Sequence, residues 1–223
     1  MGFMKRVGNK VASTARQKAD RQAQKAEDTV KEKAEQKAEG MQDALLKKVK
    51  KVEKHIKGKI ITDFDEFKAE WDKIAGDPRQ TVFFFLIAVY NYMTDQKLGE
   101  NMATVPLAKT FLLTSTESPT GFKINPGGDG FLMEHMRESP RIINSYLGGT
   151  PKNNYEIDPE NIDMHLVGEI IEGTDAVIKI QSGGKDLDSP VSLRKNKDGQ
   201  WKLFGFSSIA TGVQQTEAEK GDF

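Results

Sequence analysis

The sequence predicts an α+β fold, with a long helical arm at the N-terminus and a helical cluster packed on a C-terminal antiparallel β-meander of about four strands. Small and apolar residues recur every three or four positions over the first quarter of the 223-residue chain, which is helical spacing. The last third instead has short runs of alternating apolar and polar residues divided by glycine-rich turns. Helices followed by strands are typical of an α+β layout.

The two parts differ in charge. Residues 1–59 contain 17 Lys+Arg and 8 Asp+Glu, and the remaining residues contain 16 and 25, so a net charge of zero hides a basic and an acidic part. This asymmetry predicts that the arm seeks an anionic surface, either on its own domain or on a partner. The predicted organisation is a basic arm over 1–59, a compact acidic domain over 60–213 and a disordered tail over 214–223.

Composition also narrows the functional classes. The chain has no cysteine, which excludes disulfides, thiolate nucleophiles and cysteine-ligated metals. The N-terminus has no uninterrupted apolar stretch typical of a signal peptide. The longest apolar run, 82–90, is about half of what a bilayer span requires and predicts a core helix. The expected location is the cytoplasm, with the inner membrane surface as an alternative.

The arm divides into three stretches. An amphipathic tip covers 1–12, an alanine-rich charged middle follows it, and an apolar docking stretch covers 41–57. The mean step of about 3.7 residues between apolar positions predicts a straight or right-handed supercoil if the arm forms a coiled coil. The residues predicted to contact a partner or a membrane are Phe3, Met4, Lys5, Arg6, Val7, Lys10, Val11, Met41, Leu45, Val49, Val52 and Ile56.

Three environments are possible for the tip of the arm. Its tip could lie on an anionic membrane, because basic amphipathic segments bind such surfaces, or it could contact protein, or it could be a solvated tail. Nucleic acid is not favoured, because Glu27, Glu32, Glu35 and Glu39 alternate with the lysines and no aromatic residues are interleaved among them. A protein partner, through self-association or a larger assembly, is the leading expectation, and a small-molecule ligand is unknown.

Helices are predicted in the first part of the domain. Thr62 or Asp63 caps a helix that Gly76 ends, and Pro78 begins a second helix that holds the apolar run. Pro106 suggests a third helix over 107–113. A flexible loop is expected over 114–130, followed by two short helices over 131–137 and 140–147.

Strands are predicted after Pro151, and short turns between them indicate an antiparallel meander. The expected strands cover 164–170, 176–180, 191–194 and 201–206.

No group of residues forms a catalytic, cofactor or metal motif. His55, His135 and His165 are far apart and are expected to be solvated or locally bonded. Asp186 and Asp188 lack the spacing of a calcium loop, and Asx hydrogen bonds in a turn explain them equally well. We therefore expect no catalytic residues, no cofactor-binding residues and no metal ligands.

Several segments resemble a bacterial family catalogued only as a domain of unknown function, over roughly residues 64–213. The family usually has Asp-Ser-Pro-Arg-Pro where this chain has Asp188-Ser189-Pro190-Val191-Ser192, so the resemblance does not imply an anion-binding hairpin. It implies a domain boundary and no activity. The segments that carry it are Gly149-Thr150-Pro151-Lys152-Asn153-Asn154-Tyr155, Ser182-Gly183-Gly184, Asp188-Ser189-Pro190, Leu193-Arg194-Lys195, Trp201-Lys202, Ser207-Ser208 and Gly212-Val213.

The sequence thus predicts a non-enzymatic protein-interaction or scaffold module, whose arm mediates oligomerisation or attachment to a larger assembly. One alternative is a peripheral membrane protein anchored by its basic amphipathic N-terminus. Another is an enzyme of unknown class, with its site near the glycine-rich loop or the hairpin, which a deep polar pocket with convergent acids would favour.

Overall fold

A computed structural model describes residues 40, 42–127 and 130–221. Its fold is α+β, as the sequence predicts, and residues 42–46 are helical. The helices that follow are α1 (Phe64–Ile74), α2 (Pro78–Thr94), α3 (Gln96–Ala103), α4 (Gly130–Glu138) and α5 (Arg141–Asn144). The strands are β1 (Lys50–Gly58), β2 (Leu112–Thr114), β3 (Phe122–Ile124), β4 (Ile162–Glu172), β5 (Asp175–Gln181), β6 (Ser189–Lys195) and β7 (Trp201–Gly205).

The main sheet has five strands in the order β1-β4-β5-β6-β7, and all neighbouring pairs are antiparallel. The predicted meander is confirmed as β4 to β7, and β1 adds a fifth strand at one edge. At the other edge, β7 is covered by a parallel bridge from Leu107 to Leu203. β2 and β3 form a separate two-stranded sheet.

The predicted helix starts at Asp63 and Pro78 are confirmed. The side chain of Asp63 accepts a hydrogen bond from the backbone of Glu66, and Asp77 caps α2, which has proline in its first turn. α2 is buried on nearly every face, because the apolar run that includes Phe85 packs in the core between the other helices and the sheet. No helix in the described part of the chain is long and apolar enough to cross a membrane.

The prediction that residues 50–58 continue a helical arm is wrong, because they form β1. Val52 and Ile56 are four residues apart, and that spacing suits one face of a helix and one face of a strand equally well. Pairing with β4 gives the backbone of β1 its hydrogen-bond partners and packs both side chains against the hydrophobic core. The expectation that the stretch before Lys59 docks on something is therefore met within the chain, by a strand.

Part of the charge asymmetry is balanced inside the domain. Most of the basic excess of residues 1–59 lies after residue 39, since residues 1–39 hold 10 Lys+Arg and 6 Asp+Glu. Four of the later lysines form ion pairs with acidic residues of the domain, which confirms that the domain is one of the anionic surfaces that this region meets. The pairs are Lys48–Glu172 at 3.0 Å, Lys54–Glu169 at 3.0 Å, Lys57–Asp163 at 3.8 Å and Lys59–Glu66 at 3.1 Å.

The predicted third helix over 107–113 is wrong, and so is the single loop over 114–130. The third helix is instead α3, which Asp95 caps by accepting a hydrogen bond from the backbone of Leu98. Leu107 pairs with the outer edge of β7. A single 3₁₀ turn follows at Lys109–Phe111, and the chain then enters the β2–β3 hairpin. Pro106 thus precedes an extended segment, which proline favours as readily as a helix start.

The predicted disordered tail is ordered over 214–221. Thr216 is buried, and the backbone of Glu217 donates to the carbonyl of Pro151. The carboxylate of Glu219 accepts hydrogen bonds from Arg141 and from Thr216, and these bonds lower its pKa to about 2. The polar composition of this segment suggested disorder, whereas its polar side chains hold it on the domain.

Removing β1 should destabilise the domain, although β1 lies within the basic N-terminal quarter. A variant lacking residues 1–59 loses the packing of Val52 and Ile56, which stabilises the fold by about 2 kcal/mol or more, and it exposes the edge of β4. A variant lacking residues 1–41 keeps β1 and serves as the matched control. Urea unfolding followed by circular dichroism should show a lower midpoint for the shorter chain only, and equal midpoints would contradict the assignment of β1 to the sheet.

Candidate functional site

Several of the segments that carry the family resemblance meet in one place. The hairpin loop between β5 and β6 follows Ser182, whose hydroxyl donates to Ser145 at 2.7 Å, and the amide of Gly183 donates to the Ser145 carbonyl at 2.7 Å. The C-terminal segment lies on the other side, where the amide of Gln214 donates to Gly184 at 2.9 Å. Residues 145–155, 182–190 and 207–214 therefore form one cluster, which we call the hairpin site.

Gly184 allows these segments to approach closely. A Cβ atom at Gly184 would lie 2.3 Å from the hydroxyl oxygen of Tyr155, and that hydroxyl donates to the carbonyl of Gln214 at 2.7 Å. A Cβ at Gly183 would lie 2.3 Å from the carbonyl oxygen of Gly149. Glycine is required at both positions because the backbone or side chain of another segment occupies the space of a side chain.

The ammonium of Lys185 is the centre of the hairpin site. It donates to the Tyr146 hydroxyl at 2.7 Å, the Thr211 hydroxyl at 2.8 Å, and the carbonyls of Ile209 at 3.0 Å and Ser208 at 3.2 Å. It also lies 4.9 Å from the centre of the Tyr146 ring. Burial lowers the pKa of Lys185 to about 8. No carboxylate in the described part of the chain forms an ion pair with it.

A chain of hydroxyl groups continues from Lys185. Tyr146 accepts from the ammonium and lies 2.6 Å from the hydroxyl of Ser189, which donates to the Ser208 carbonyl at 3.3 Å. Burial raises the pKa of Tyr146 to about 12, so its hydroxyl stays protonated. Ser189 is only 2% exposed. Lysine, tyrosine and serine in contact have the composition of an activated nucleophile, but the hydroxyl of this serine is engaged by Tyr146 and by the Ser208 carbonyl, and the array fixes the loop.

A cavity of about 440 Å³ opens beside the loop. Its carboxylates do not converge, because Asp188 forms an ion pair with Lys179 at 3.2 Å and Asp186 accepts from Gln214 at 2.9 Å. The sequence suggested Asx hydrogen bonds in a turn for these two acids, whereas both carboxylates bond to other side chains. The cavity is lined by residues 184–189 and by Ser208, Thr211, Gly212 and Gln214.

The residues predicted to contact a partner fall into two groups. Leu45 is buried, Val52 and Ile56 pack against the core of the domain, and a methyl group of Val49 lies 2.8 Å from where a Cβ at Gly168 would be. These four therefore contact the chain's own domain. The others lie outside the described residues: Phe3, Met4, Lys5, Arg6, Val7, Lys10, Val11 and Met41.

The expectation of solvated or locally bonded histidines does not hold for His55 and His165, which bond to carboxylates more than 100 residues away. His135 stacks on Phe131 within α4, with ring centroids 6.4 Å apart, while His55 and His165 lie opposite each other on β1 and β4. Sequence reasoning missed Lys185 and Tyr146, because no local pattern marks a lysine for burial. The one available signal was that Lys185 stands between two segments, Ser182-Gly183-Gly184 and Asp188-Ser189-Pro190, that carry the resemblance.

Comparison with known families gave a match that covers most of the chain. The family model described as Domain of unknown function (DUF6935) matches residues 59–217, which is well over half of the chain. The chain belongs to this family. The DUF6935 match includes the whole hairpin site and part of the ordered tail, and it begins directly after β1. Comparisons with curated proteins and with solved structures gave no match.

Replacing Gly184 by alanine should destabilise the hairpin site. The added Cβ would displace Tyr155 and break its bond to Gln214, at an expected cost of about 1–3 kcal/mol in the free energy of unfolding. Gly212→Ala is the matched control, since nothing lies within 4 Å of a Cβ there, and its effect should stay within about 0.5 kcal/mol. Urea unfolding of both variants tests this. Equal stability of the two would show that the close approach of Gly184 and Tyr155 is not needed.

Lys185 should make stability depend on pH. Its pKa falls from the ordinary 10.5 to about 8 on folding, so between these values the unfolded chain holds more protons than the folded one. Stability should therefore rise as pH increases from about 8 to about 10.5. Lys185→Met lacks this group, and the difference in unfolding free energy between wild type and variant should shift in favour of wild type over that window. A constant difference would mean that the four hydrogen bonds fully offset burial of the charge.

Proposed function

We propose that the protein is a non-enzymatic protein-interaction module. The loop between β5 and β6 presents the surface for a partner protein, and the residues before β1 mediate oligomerisation or attachment to a larger assembly. The observation that carries the proposal is Leu187, which is 81% exposed at the tip of a loop whose backbone is held in place by Lys185. The partner class is a protein with an apolar recess able to receive this leucine.

Fixation of the loop favours binding. A loop that is ordered before it binds loses little conformational entropy on association, so more of the contact free energy appears as affinity. The loop has such order, because Lys185 connects it to the carbonyls of Ser208 and Ile209 and because Gly184 bonds to Gln214. Leu187 stands beside an open cavity, so a partner could contact the side chain and fill the recess next to it.

The same geometry gives less support to catalysis. Tyr146 and Ser189 are only 1% and 2% exposed, and their hydroxyls are bonded to each other, whereas a nucleophile must be free to reach its substrate. The two carboxylates that line the cavity are each engaged with another side chain, so no pair of acids is available for general acid and base catalysis. Binding is therefore the function that this arrangement supports best.

The segment before residue 42 is the part of the chain left for assembly. Residues 45–59 belong to the domain through Leu45 and β1. The helical spacing of small residues from Ala15 to Ala38 is the sequence feature that motivates an oligomerising or attaching role. Attachment to an anionic membrane through Phe3 and its neighbours stays an alternative that rests on the sequence.

Two matched comparisons test the proposal. Light scattering after size exclusion should find a defined oligomer for the intact protein and a monomer for the variant lacking residues 1–41. In affinity purification from the cells that produce the protein, Leu187→Asp should lose a protein that co-purifies at fixed ratio with the wild type. Leu113→Asp is the control, since Leu113 is also exposed, at 42%, and lies on β2 away from the loop, and it should retain that protein.

Two results together would overturn the proposal. One is a monomeric intact protein at all accessible concentrations. The other is identical co-purification with wild type, Leu187→Asp and Leu113→Asp. Pelleting of the intact protein with anionic vesicles, lost when residues 1–41 are removed, would assign the N-terminal segment to the membrane and remove its role in oligomerisation.

A further inference from the structure

Two histidines meet on the outer face of the sheet, on the side away from the helices. His55 of β1 and His165 of β4 are directly opposite in the strand register. Their rings stack, with centroids 4.6 Å apart and planes only 6° from parallel. Val52 and Ile56 point to the core from β1, as Met164 and Leu166 do from β4, so the two imidazoles lie on the solvent side.

Each imidazole has a carboxylate partner. Nδ1 of His55 lies 2.9 Å from Oδ1 of Asp163, and Nε2 of His165 is hydrogen-bonded to the carboxylate of Glu53. One ligand atom from each of Glu53, His55 and His165 lies within 4.8 Å of the other two. Two imidazoles and one carboxylate from two neighbouring strands thus lie close enough together to reach one ion after their side chains rotate.

We propose that Glu53, His55 and His165 bind a single divalent transition-metal ion of the zinc class. The ligands are the carboxylate of Glu53 and the Nε2 atoms of both histidines, with water completing a tetrahedral site. The metal takes the place of the proton between His165 and Glu53. In a neutral imidazole that proton moves to Nδ1 by exchange with solvent, and in an imidazolium it leaves to solvent, so His165 stays neutral in both cases. Asp163 keeps its bond to Nδ1 of His55, which fixes the ring in the tautomer that leaves Nε2 for the metal.

The distances suit zinc once the two rings turn out of their parallel stack, because an imidazole nitrogen binds a metal in the plane of its ring. Zinc binds nitrogen and carboxylate oxygen at about 2.0–2.2 Å, so tetrahedral ligand atoms lie about 3.4 Å apart. The present limit of 4.8 Å requires the donors to close by about 1.4 Å at most. The Glu53 side chain is 63% exposed and free to make that movement. Magnesium demands six oxygen ligands and does not match two imidazoles.

The local charge also fits a divalent cation, although β1 is rich in lysine. With both imidazoles neutral, Glu53 and Asp163 supply two negative charges, which balance the ion. Lys57 is the lysine that opposes it most directly, since its ammonium lies 3.8 Å from Asp163. The ammonium of Lys54 is directed to Glu169 at 3.0 Å and so is already paired.

The ion would join β1 to β4 where their backbone pairing is interrupted. The register of β1 shifts between Lys51 and Lys54, so Glu53 lies in a β-bulge without a ladder partner. A metal held by Glu53 and His55 on one strand and His165 on the other would span this bulge. The site would thereby stabilise the attachment of the edge strand, and it is independent of the partner-binding role proposed for the loop.

Metal titration of the intact protein, prepared without a histidine tag and stripped with chelator, tests the proposal. We expect one equivalent of Zn²⁺ by calorimetry at about pH 7.5, and Co²⁺ should give the visible absorption of a tetrahedral site. His165→Ala, His55→Ala and Glu53→Gln should each weaken Zn²⁺ binding at least about tenfold, and Asp163→Asn about tenfold through the orientation of His55. His135→Ala is the matched control and should bind as wild type does.

A gain in stability provides a second readout. The urea midpoint of the wild type should rise with Zn²⁺ and stay unchanged with Mg²⁺, whereas the midpoint of His165→Ala should respond to neither. The unfolding midpoints of the variants without metal show that they remain folded. Absence of saturable Zn²⁺ binding below about 1 mM would overturn the proposal. Binding that is equal in wild type, His55→Ala and His165→Ala would overturn it as well.

Discussion

The antiparallel pairing of β1 with β4 is the interaction on which the arrangement of this protein depends. It places Val52 and Ile56 on the core and gives β4 a hydrogen-bonded neighbour on its outer side. It also brings Lys54 to Glu169. The carboxylate of Glu169 accepts hydrogen bonds from Nε and Nη2 of Arg79 at the start of α2, so that strand, sheet and helix share one group. Arg79, Lys54 and their hydrogen bonds lower the pKa of Glu169 and keep it charged in a half-enclosed position.

The hairpin site uses a buried cation for a different purpose. Removing a lysine ammonium from water costs free energy unless its N–H groups find other acceptors. The ammonium of Lys185 has two hydroxyls and two carbonyls as acceptors. Because the carbonyls of Ser208 and Ile209 belong to the C-terminal segment, these bonds hold that segment and the loop together in one geometry. The same packing leaves Tyr146 and Ser189 only 1% and 2% exposed, and in the proposed function it holds a neighbouring surface in place for a partner.

Local signals predicted the parts of the fold that local physics decides. Asp63 and Asp77 cap helices through bonds within four residues, and the apolar run around Phe85 needs burial whatever its neighbours are. β1 was missed because a four-residue step does not distinguish helix from strand, and the decisive factor was the free edge of β4, more than 100 residues away. The hairpin site and the histidine pair were missed for the same reason. The burial of Lys185 follows from the packing of its loop against the C-terminal segment. The contact of His55 with His165 follows from strand register, which a single sequence does not encode locally.

The assignment of β1 to the domain changes what the N-terminal charge means. A basic arm with a large excess of lysine would have been steered to anionic partners by long-range attraction. With Lys48, Lys54, Lys57 and Lys59 paired to the domain, the segment over residues 1–39 holds 10 basic and 6 acidic residues, a much smaller excess. Electrostatic attraction alone is then too weak to define its partner, because salt screens exposed charges over about 10 Å. In the proposed attaching role, the alanine-rich stripe and the apolar residues of the tip would supply most of the specificity, and a shaped protein surface would suit them better than a diffuse anionic one.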